Sequence, residues 1–381
     1  KSGLNMVANL DVAMSQPQLE QPHKAGDVEP FPSGRVTYLA PLPLPSPLPP
    51  HGPHVDELND VYIDFGMPLP EVFMWQMTLG VPFTIAFIIA FIFPLFTGFL
   101  GVVFGYGWDA IWGSMVCMFY EGYGLALVTG FSTLFLGFWA WLSVQNKRTD
   151  LIPTRFNRQR REVCFMLDGA TEPTFIPWES LSAWVIEAQG VTQYGVHRQY
   201  GMGLGFYHED RLTSVEFPCA GLPLAISHWE AIRGYMEYEV NDLKSIQAPL
   251  DLQGPDDPPH EGVHTFYNAR ARMHQEIRDG QRGWLSGFFW YLYHVMTFWT
   301  LPNYLVEWEI RRLKAMGRKA LPEVMRQWSE PLPKEQWAKP SPELLRMSEQ
   351  VRALHKRQPR RPITEIFAEV YRSKERAEHG R

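Results

Sequence analysis

The 381-residue sequence contains few cysteines, only Cys117, Cys164 and Cys219. Three scattered thiols give no disulfide framework, which predicts reducing surroundings for most of the chain. Basic character is also missing, because the net charge is −6, and this argues against a nucleic-acid partner. No nucleophile elbow, phosphate-binding loop or kinase motif set occurs. The sequence therefore predicts no catalytic residue, no bound metal and no cofactor.

Charged residues are absent from two long stretches. No Asp, Glu, Lys or Arg lies between Glu71 and Asp109, or between Glu121 and Lys147. Each gap exceeds the ~20 apolar residues that cross a bilayer as a helix. We predict two membrane-spanning helices, at about 75–104 and 120–144, so that residues 75–144 form a hairpin in a lipid bilayer. The mean hydropathy of −0.20 indicates that the rest of the chain faces water.

Small residues recur in the second predicted span. Gly122, Ala126 and Gly130 are spaced four apart, which lets helix backbones approach closely. The first span, which Pro82 and Pro94 should kink, is the favoured partner of this face. A second copy of the chain is the alternative partner, which would make the protein a homo-oligomer.

The connection at residues 105–120 is not an ordinary polar loop. Its apolar residues recur at helical spacing, at Trp108, Ile111, Trp112, Met115 and Phe119. This pattern predicts a short helix lying in the headgroup layer. A docking surface on the far side of the membrane is the alternative.

Basic residues follow the second span directly, whereas the connection between the spans contains no Lys or Arg. They are Lys147, Arg148, Arg155, Arg158, Arg160 and Arg161. The positive-inside rule places this flank, and with it the N-terminal arm at 1–74, in the cytoplasm. The same residues are expected to attract anionic lipid. The arm contains a proline-rich run at 41–50, which predicts a polyproline spacer acting as a tether, or a ligand for an aromatic groove on a partner.

Residues 145–240 change to short β-type runs separated by turn signals. Strands are predicted at 162–167, 174–178, 182–187, 192–199, 204–208 and 213–218, and a helix at 223–240. The fold class is therefore α+β, with a small antiparallel sheet or split barrel closed by one helix. The run at 155–161 and the residues Ile176-Pro177-Trp178-Glu179 resemble the corresponding parts of bacterial pleckstrin-homology-like domains.

Residues 75–239 also resemble an uncharacterised family of proteobacterial membrane proteins often encoded beside type VI secretion genes. The motifs on which this resemblance rests include Pro177-Trp178-Glu179, Ala183-Trp184-Val185, Gly201-Met202-Gly203 and Trp229-Glu230-Ala231-Ile232-Arg233. The resemblance implies a setting of bacterial competition, with a secreted effector or a secretion component as protein partner. It provides no catalytic residues.

Residues 241–381 are predicted to be helical, with Ser341 and Thr364 as candidate helix caps. A third apolar stretch lies at 284–306, between Arg282 and Glu307. If this stretch crossed the membrane, the basic residues that follow it, including Arg311 and Arg312, would lie outside the cytoplasm. That placement contradicts the positive-inside rule. We therefore expect an aromatic helix that lies on the membrane or packs against the hairpin.

One motif suggests hydrolytic chemistry. His260-Glu261-Gly262-Val263-His264 fits H-E-x-x-H, in which two histidines bind zinc and the glutamate activates water. Pro258 and Pro259 precede it directly, which favours a solvated helix start over a rigid zinc site. His274 and Glu276 are the candidates for a third ligand if the zinc interpretation holds.

Two smaller features have plain structural interpretations. The glycine-rich run Gly201-Met202-Gly203-Leu204-Gly205 does not fit the dinucleotide fingerprint and predicts a hairpin or a bulged strand. Cys219 follows a predicted strand and is expected to be a core thiol.

The sequence thus favours a non-enzymatic interaction protein of a bacterial inner membrane, with most of the chain cytoplasmic. In a type VI setting it would be an immunity protein or an accessory that holds an effector. The alternatives are a membrane-inserting, pore-forming antibacterial toxin and a zinc hydrolase that uses His260, Glu261 and His264.

Overall fold

The computed structural model describes residues 23–53, 55–65, 69–148, 152–166, 172–192, 195–208, 211–247 and 252–379. The chain divides into two compact units. The sheet unit takes Lys1–Met67, Pro153–Gln247 and Pro322–Arg381, and the helical unit takes Pro68–Ile152 and Ala248–Leu321. Predictions that fall on residues 1–22, 167–171, 193–194 and 209–210 lie outside the described residues.

The described part of the sheet unit contains two five-stranded sheets, and neighbouring strands are antiparallel in both. The first sheet has the order β1 (Val28–Phe31), β2 (Gly34–Ala40), β8 (Ser182–Thr192), β9 (Gly195–His208) and β10 (Arg211–Cys219). The second has the order β3 (Val55–Leu58), β4 (Tyr62–Phe65), β5 (Thr154–Asn157), β6 (Glu162–Phe165) and β7 (Thr174–Pro177). The predicted α+β class is confirmed at this level.

Three helices complete the sheet unit's core: α4 (Leu222–Met236), α9 (Pro342–Arg357) and α10 (Ile363–His379). A short helix, α8 (Glu323–Trp328), precedes α9. Both sheets and the three core helices contribute to one cluster of buried apolar side chains, which includes Phe156, Trp178, Met202 and Trp229. Burial of such large side chains is the main stabilising contribution, at about 1.5–3 kcal/mol each. The cap predicted at Ser341 is confirmed, because its Oγ accepts from the Leu344 N–H at 3.1 Å. Thr364 lies inside α10, so that cap prediction is wrong.

Part of the region predicted to be a separate N-terminal arm, at 1–74, belongs to the sheet unit. It supplies two strands to each sheet, so the prediction of a separate arm is wrong for residues 28–65. Within the proline-rich run, Leu44 is completely buried and the Ser46 N–H donates to Glu230 Oε2 at 3.0 Å. These core contacts could not be predicted, because alternating proline is typical of a solvated polyproline helix and not of a segment buried in a core.

The boundary predicted at residue 241 also differs from the structure. Residues 322–381 belong to the sheet unit, where α9 and α10 bury apolar faces in the same core as both sheets. Helices were predicted correctly in this region from start signals at 341–343 and 362–365. Such local signals could not indicate which surface the helices cover.

The glycine-rich run lies in the middle of β9, and its pairing with β8 and β10 has no register shift. The predicted hairpin or bulge is therefore wrong. The reason is the indole ring of Trp184 on the neighbouring strand, since a Cβ built on Gly203 would lie 2.2 Å from Trp184 Cε2. Glycine provides the space that this ring occupies.

The helical unit begins with a continuous helix made of α1 (Val72–Phe87), a π-helical segment (Ile88–Ile92) and α2 (Phe93–Val103), together called the first long helix. The second long helix is α3 (Trp108–Arg148). The unit continues with α5 (Val263–Arg278), α6 (Trp284–Met296) and α7 (Leu301–Ala320). The π-helical segment ends two residues before Pro94, whose ring would clash with the carbonyl of Ala90 in a regular α-helix.

Candidate functional site

The two long helices expose an extensive apolar surface. Val72–Val103 and Trp108–Asn146 are long enough and apolar enough to cross a membrane, and only 17% and 6% of their most apolar windows are buried. The second begins at Trp108, so the predicted separate helix at 105–120 is wrong: most of that stretch is the first three turns of α3. The aromatic residues of the stretch thus extend the second long helix. Only four residues, 104–107, separate the two long helices.

The third apolar stretch is divided between two helices. α6 has 13 residues and is therefore ~20 Å long, too short for the ~30 Å core of a bilayer. Its exposed apolar side chains are Trp284, Leu285, Phe288, Phe289, Leu292, Tyr293 and Val295. α7 packs against the first long helix through Val306 and Ile310, which contact Val72 and Trp75. The prediction that this stretch packs on the hairpin is therefore confirmed for α7.

The stripe of small residues on α3 faces the first long helix, as predicted. Ala126 is buried, and a Cβ built on Gly130 would lie 3.1 Å from the Cβ of Ala86. A Cβ on Gly122 would lie 3.3 Å from the carbonyl oxygen of Ile89. Contact of this kind requires small side chains, because the two backbones are close. Association of two copies through the same stripe stays a prediction, and it would require displacing the first long helix.

We expect Gly130→Leu to destabilise the helical unit by about 1–3 kcal/mol, because the added side chain would force the two long helices apart. Gly124→Leu is the matched control, since a Cβ at Gly124 meets nothing within 4 Å. Both substitutions replace a glycine inside α3 by leucine, so both raise the helix propensity by the same amount. Titration of the detergent-solubilised protein with sodium dodecyl sulfate, followed by circular dichroism, measures the difference. Equal midpoints for the two variants would contradict this packing.

A buried polar cluster joins three helices of the helical unit. The Glu309 carboxylate on α7 accepts hydrogen bonds from Trp75 Nε1, at 2.8 Å, and from Gln145 Nε2 on α3. Glu309 is 3% exposed, and Trp141 packs on Trp75 beside it. Sequence reasoning missed this cluster, since Glu309 is separated from Trp75 by 234 positions. The only available signal was the position of an acidic residue on the apolar side of an amphipathic helix.

The basic flank after the second span has a different role from the one predicted. Arg155, Arg158 and Arg161 are buried in the sheet unit and paired with acidic residues. Arg155 binds both oxygens of Asp64, at 2.6 and 2.7 Å, and its guanidinium lies 3.7 Å from the centre of the Tyr62 ring. The prediction that these three arginines attract anionic lipid is wrong, because their charges are enclosed and balanced.

The other two arginines of this network hold different elements together. Arg158 donates to Asp60 and Asn241 at 3.0 Å and lies against two tyrosine rings. Arg161 donates to Glu237 at 2.8 Å and to Glu179 at 3.2 Å. The network therefore ties the β5–β6 hairpin to the segment before β4 and to the C-terminal end of α4. It is a structural arrangement in which every guanidinium has a carboxylate partner.

The H-E-x-x-H segment does not form the arrangement that a zinc hydrolase needs. α5 begins at Val263, so His260 precedes the helix and its Nδ1 lies 2.8 Å from the Glu261 carbonyl oxygen. The Glu261 carboxylate accepts the Val72 N–H at the start of α1, at 2.6 Å. Within the described residues, no group of three or more His, Cys, Asp or Glu is placed to hold a metal ion. The Glu261 side chain therefore caps the N-terminal end of α1.

The cysteines give no sign of a reactive thiol in the sheet unit. Burial raises the pKa of the Cys164 thiol to about 12, and burial also raises the pKa of Cys219. Both thiols therefore stay protonated and weakly nucleophilic at neutral pH. Cys117, on α3, is exposed. Cys219 is half-buried on β10 and packs against the core, as predicted.

Comparison with known proteins gave no match. No protein-family model, curated protein or solved structure matches this chain.

Proposed function

We propose that this chain is a non-enzymatic interaction protein that its helical unit anchors in a membrane. The observation that carries the proposal is the exposed apolar surface of the two long helices, whose most apolar windows are 17% and 6% buried. Water-soluble monomers rarely expose apolar patches larger than ~300–600 Å², because each Å² costs about 25 cal/mol. A bilayer removes that cost. The two helices, at ~48 and ~58 Å, exceed the ~30 Å hydrocarbon core, so their ends extend into the headgroup layers or the helices tilt.

The aromatic helix α6 supports the same proposal. Its exposed face combines Trp284 and Tyr293 with phenylalanine and leucine, and it contains no formal charge. Tryptophan and tyrosine are favoured at the boundary between lipid and water. We propose that α6 lies in this boundary while the two long helices cross the membrane.

The proposal also covers the orientation of the chain in the membrane and its biological setting. The positive-inside rule acts on the chain as it inserts, before Arg155, Arg158 and Arg161 are enclosed, so it still favours a cytoplasmic sheet unit at a bacterial inner membrane. Two antiparallel sheets that share a core with α4, α9 and α10 are compatible with a pleckstrin-homology-like unit that binds a protein partner. Given the resemblance to proteins encoded beside type VI secretion genes, we propose an immunity protein or an effector-holding accessory.

Membrane anchoring is tested by extraction of isolated membranes from expressing cells. We expect the full chain to stay in the pellet after alkaline carbonate and to be released by a non-ionic detergent. An exposed-face variant, Phe131→Lys with Phe135→Lys, should lower the retained fraction, because each buried lysine costs about 2.5–3.5 kcal/mol at the bilayer centre. Lys314→Gln, a change outside the two long helices, is the control. Full release of the wild type by carbonate would reject the proposal.

Orientation and role need separate measurements. A reporter fused after Arg381 should be active only in the cytoplasm, and activity only in the periplasm would reject the proposed orientation. Protection of cells against the toxin of a neighbouring gene would support the immunity role. Growth arrest with loss of membrane potential when the chain alone is expressed would favour the pore-forming toxin instead.

A further inference from the structure

The exposed side of α7 changes its chemistry halfway along the helix. Leu301, Tyr304 and Trp308 are 43%, 53% and 42% exposed, and Arg311 and Lys314 are the next exposed positions. Residues spaced three or four apart lie on one side of a helix, so these five form a continuous stripe. The stripe is apolar and aromatic over its first half and basic over its second half.

The contacts of α7 place the basic half beyond the start of the first long helix. Phe298, shortly before α7, packs on Phe83 with ring centres 5.1 Å apart, whereas Ile310 belongs to the same buried cluster as Val72. α7 therefore runs antiparallel to the first long helix and reaches the level of its first residue near Ile310. Lys314 follows four residues later, or ~6 Å further along the axis.

Three tryptophans mark the level at which the stripe changes. Trp141 on α3 packs on Trp75 of the first long helix, with ring centres 5.2 Å apart, and lies 6.3 Å from Trp308. Tryptophan is favoured at the boundary between lipid hydrocarbon and water. Arg312 follows one turn after Trp308, and its guanidinium lies 5.5 Å from the centre of that ring. In a chain that crosses the membrane, this charge lies in the headgroup layer.

The basic side chains of this region have no acidic partner among the described residues. Arg311 Nε donates to the Glu307 carbonyl oxygen, at 3.2 Å, and Arg312 and Lys314 form no ion pair there. The two acidic residues of α7 are used inside the helical unit: the Glu307 carboxylate accepts a backbone N–H of α5, at 2.8 Å, and Glu309 is buried. In contrast to the buried arginines of the sheet unit, these charges are available to a ligand outside the chain.

We propose that the basic half of α7 binds the phosphate groups of anionic phospholipids, a role that rests on the proposed membrane anchoring. Guanidinium groups match phosphate oxygens in geometry, and Lys and Arg beside a membrane are attracted to anionic lipid. The apolar half of the same stripe lies against the acyl chains of these lipids. A free phosphate or an acidic protein segment would use the basic half alone, so the continuous stripe favours a lipid.

Native mass spectrometry of the full chain released from maltoside micelles measures this binding directly. Phosphatidylglycerol, whose phosphate charge is unbalanced, is compared with phosphatidylcholine, whose ammonium group balances the phosphate. We expect phosphatidylglycerol to bind at least about tenfold more tightly, since each Lys or Arg near the lipid contributes about fivefold. Glycerol phosphate, which has no acyl chains, should not compete. Equal affinities for the two lipids, or binding of glycerol phosphate as tight as that of phosphatidylglycerol, overturn the proposal.

Charge variants test whether the lipid binds at α7. Arg312→Gln with Lys314→Gln should lower the affinity for phosphatidylglycerol by about tenfold or more, whereas Arg312→Lys with Lys314→Arg keeps both charges and should retain it. The matched control is Arg346→Gln with Lys356→Gln, which removes two exposed charges from α9 of the sheet unit and should leave the affinity unchanged. Equal losses in the two glutamine variants would overturn the assignment to α7.

Failure of the lipid site can be told apart from failure of the membrane anchoring. The variant Arg312→Gln, Lys314→Gln should stay in the pellet after alkaline carbonate, because both long helices are unchanged. A wild-type chain that stays in the pellet yet shows no preference for phosphatidylglycerol rejects this inference alone. Release of the wild type by carbonate rejects the anchoring and, with it, the lipid site.

Discussion

Replacing Arg155 with methionine is expected to lower the free energy of unfolding of the sheet unit by about 3–5 kcal/mol. The change removes the partner of Asp64 and leaves a carboxylate buried between β4 and β5 without its charge-balancing guanidinium. It also removes the hydrogen bond from Arg155 Nη1 to Ser329 Oγ, at 2.9 Å. The cost is large because the ion cannot be rehydrated while the sheet remains intact.

Cys164 provides a native probe for this measurement. It is completely buried and lies opposite Arg155 in the β5–β6 pairing, so its alkylation requires opening of this sheet. In a Cys117→Ser, Cys219→Ser background, the rate of Cys164 modification against urea concentration gives the opening free energy in the full chain. Arg155→Met should move the midpoint to much lower urea.

Two controls separate the buried charge from other effects of the Arg155 substitution. The double variant Arg155→Met, Asp64→Leu removes both charges and should recover most of the lost stability, since apolar replacements of a buried pair are often neutral. Arg35→Met breaks the exposed pair between Arg35 and Glu187 and should cost less than about 1 kcal/mol. An equal cost for Arg155→Met and Arg35→Met would show that burial of the pair is not what matters.

Replacing Glu309 with alanine is expected to destabilise the helical unit by about 2–5 kcal/mol. The Trp75 indole N–H and the Gln145 amide would both lose their buried acceptor. In surroundings of low polarity the two donors have no other partner of comparable strength. Since Glu309 lies on α7 and its two donors lie on α1 and α3, the loss should loosen α7 from both long helices.

Sodium dodecyl sulfate titration of the detergent-solubilised chain, followed by circular dichroism, measures this change. Glu309→Gln retains an acceptor oxygen and should cost clearly less than Glu309→Ala. Trp75→Phe removes one donor, so in the Trp75→Phe background the added cost of Glu309→Ala should fall. Strictly additive costs of these two substitutions would contradict the hydrogen bond between the residues.

Several elements could be read from the sequence because their signal is local. The absence of charge between Glu71 and Asp109, and again from Gly122 to Asn146, predicted two long apolar helices, and both are present. Alternating apolar residues predicted most of β6 to β10, and Ser341 marked the start of α9 correctly. The four-residue spacing of Gly122, Ala126 and Gly130 identified the face of α3 that packs on the first long helix.

Other predictions were wrong because the role of the residues depends on partners that are distant in the sequence. Arg155, Arg158 and Arg161 have the composition of a lipid-facing basic flank, yet they are buried and paired with Asp64, Asp60 and Glu237. The proline-rich run looked like a tether, although Leu44 fills the core of the sheet unit. The glycine-rich run indicated a hairpin or a bulged strand, although Trp184 makes glycine necessary inside the regular strand β9.

The order of residues by itself determined where the chain avoids water and which segments have the periodicity of a helix or a strand, because both follow from neighbouring side chains. Only the tertiary structure decided which charges are buried and paired and which stay exposed. Those properties arise when residues such as Trp75 and Glu309, remote along the chain, are brought within hydrogen-bond distance. Coulombic and hydrogen-bond energies depend on that separation in space and on exclusion of water, neither of which a linear pattern records.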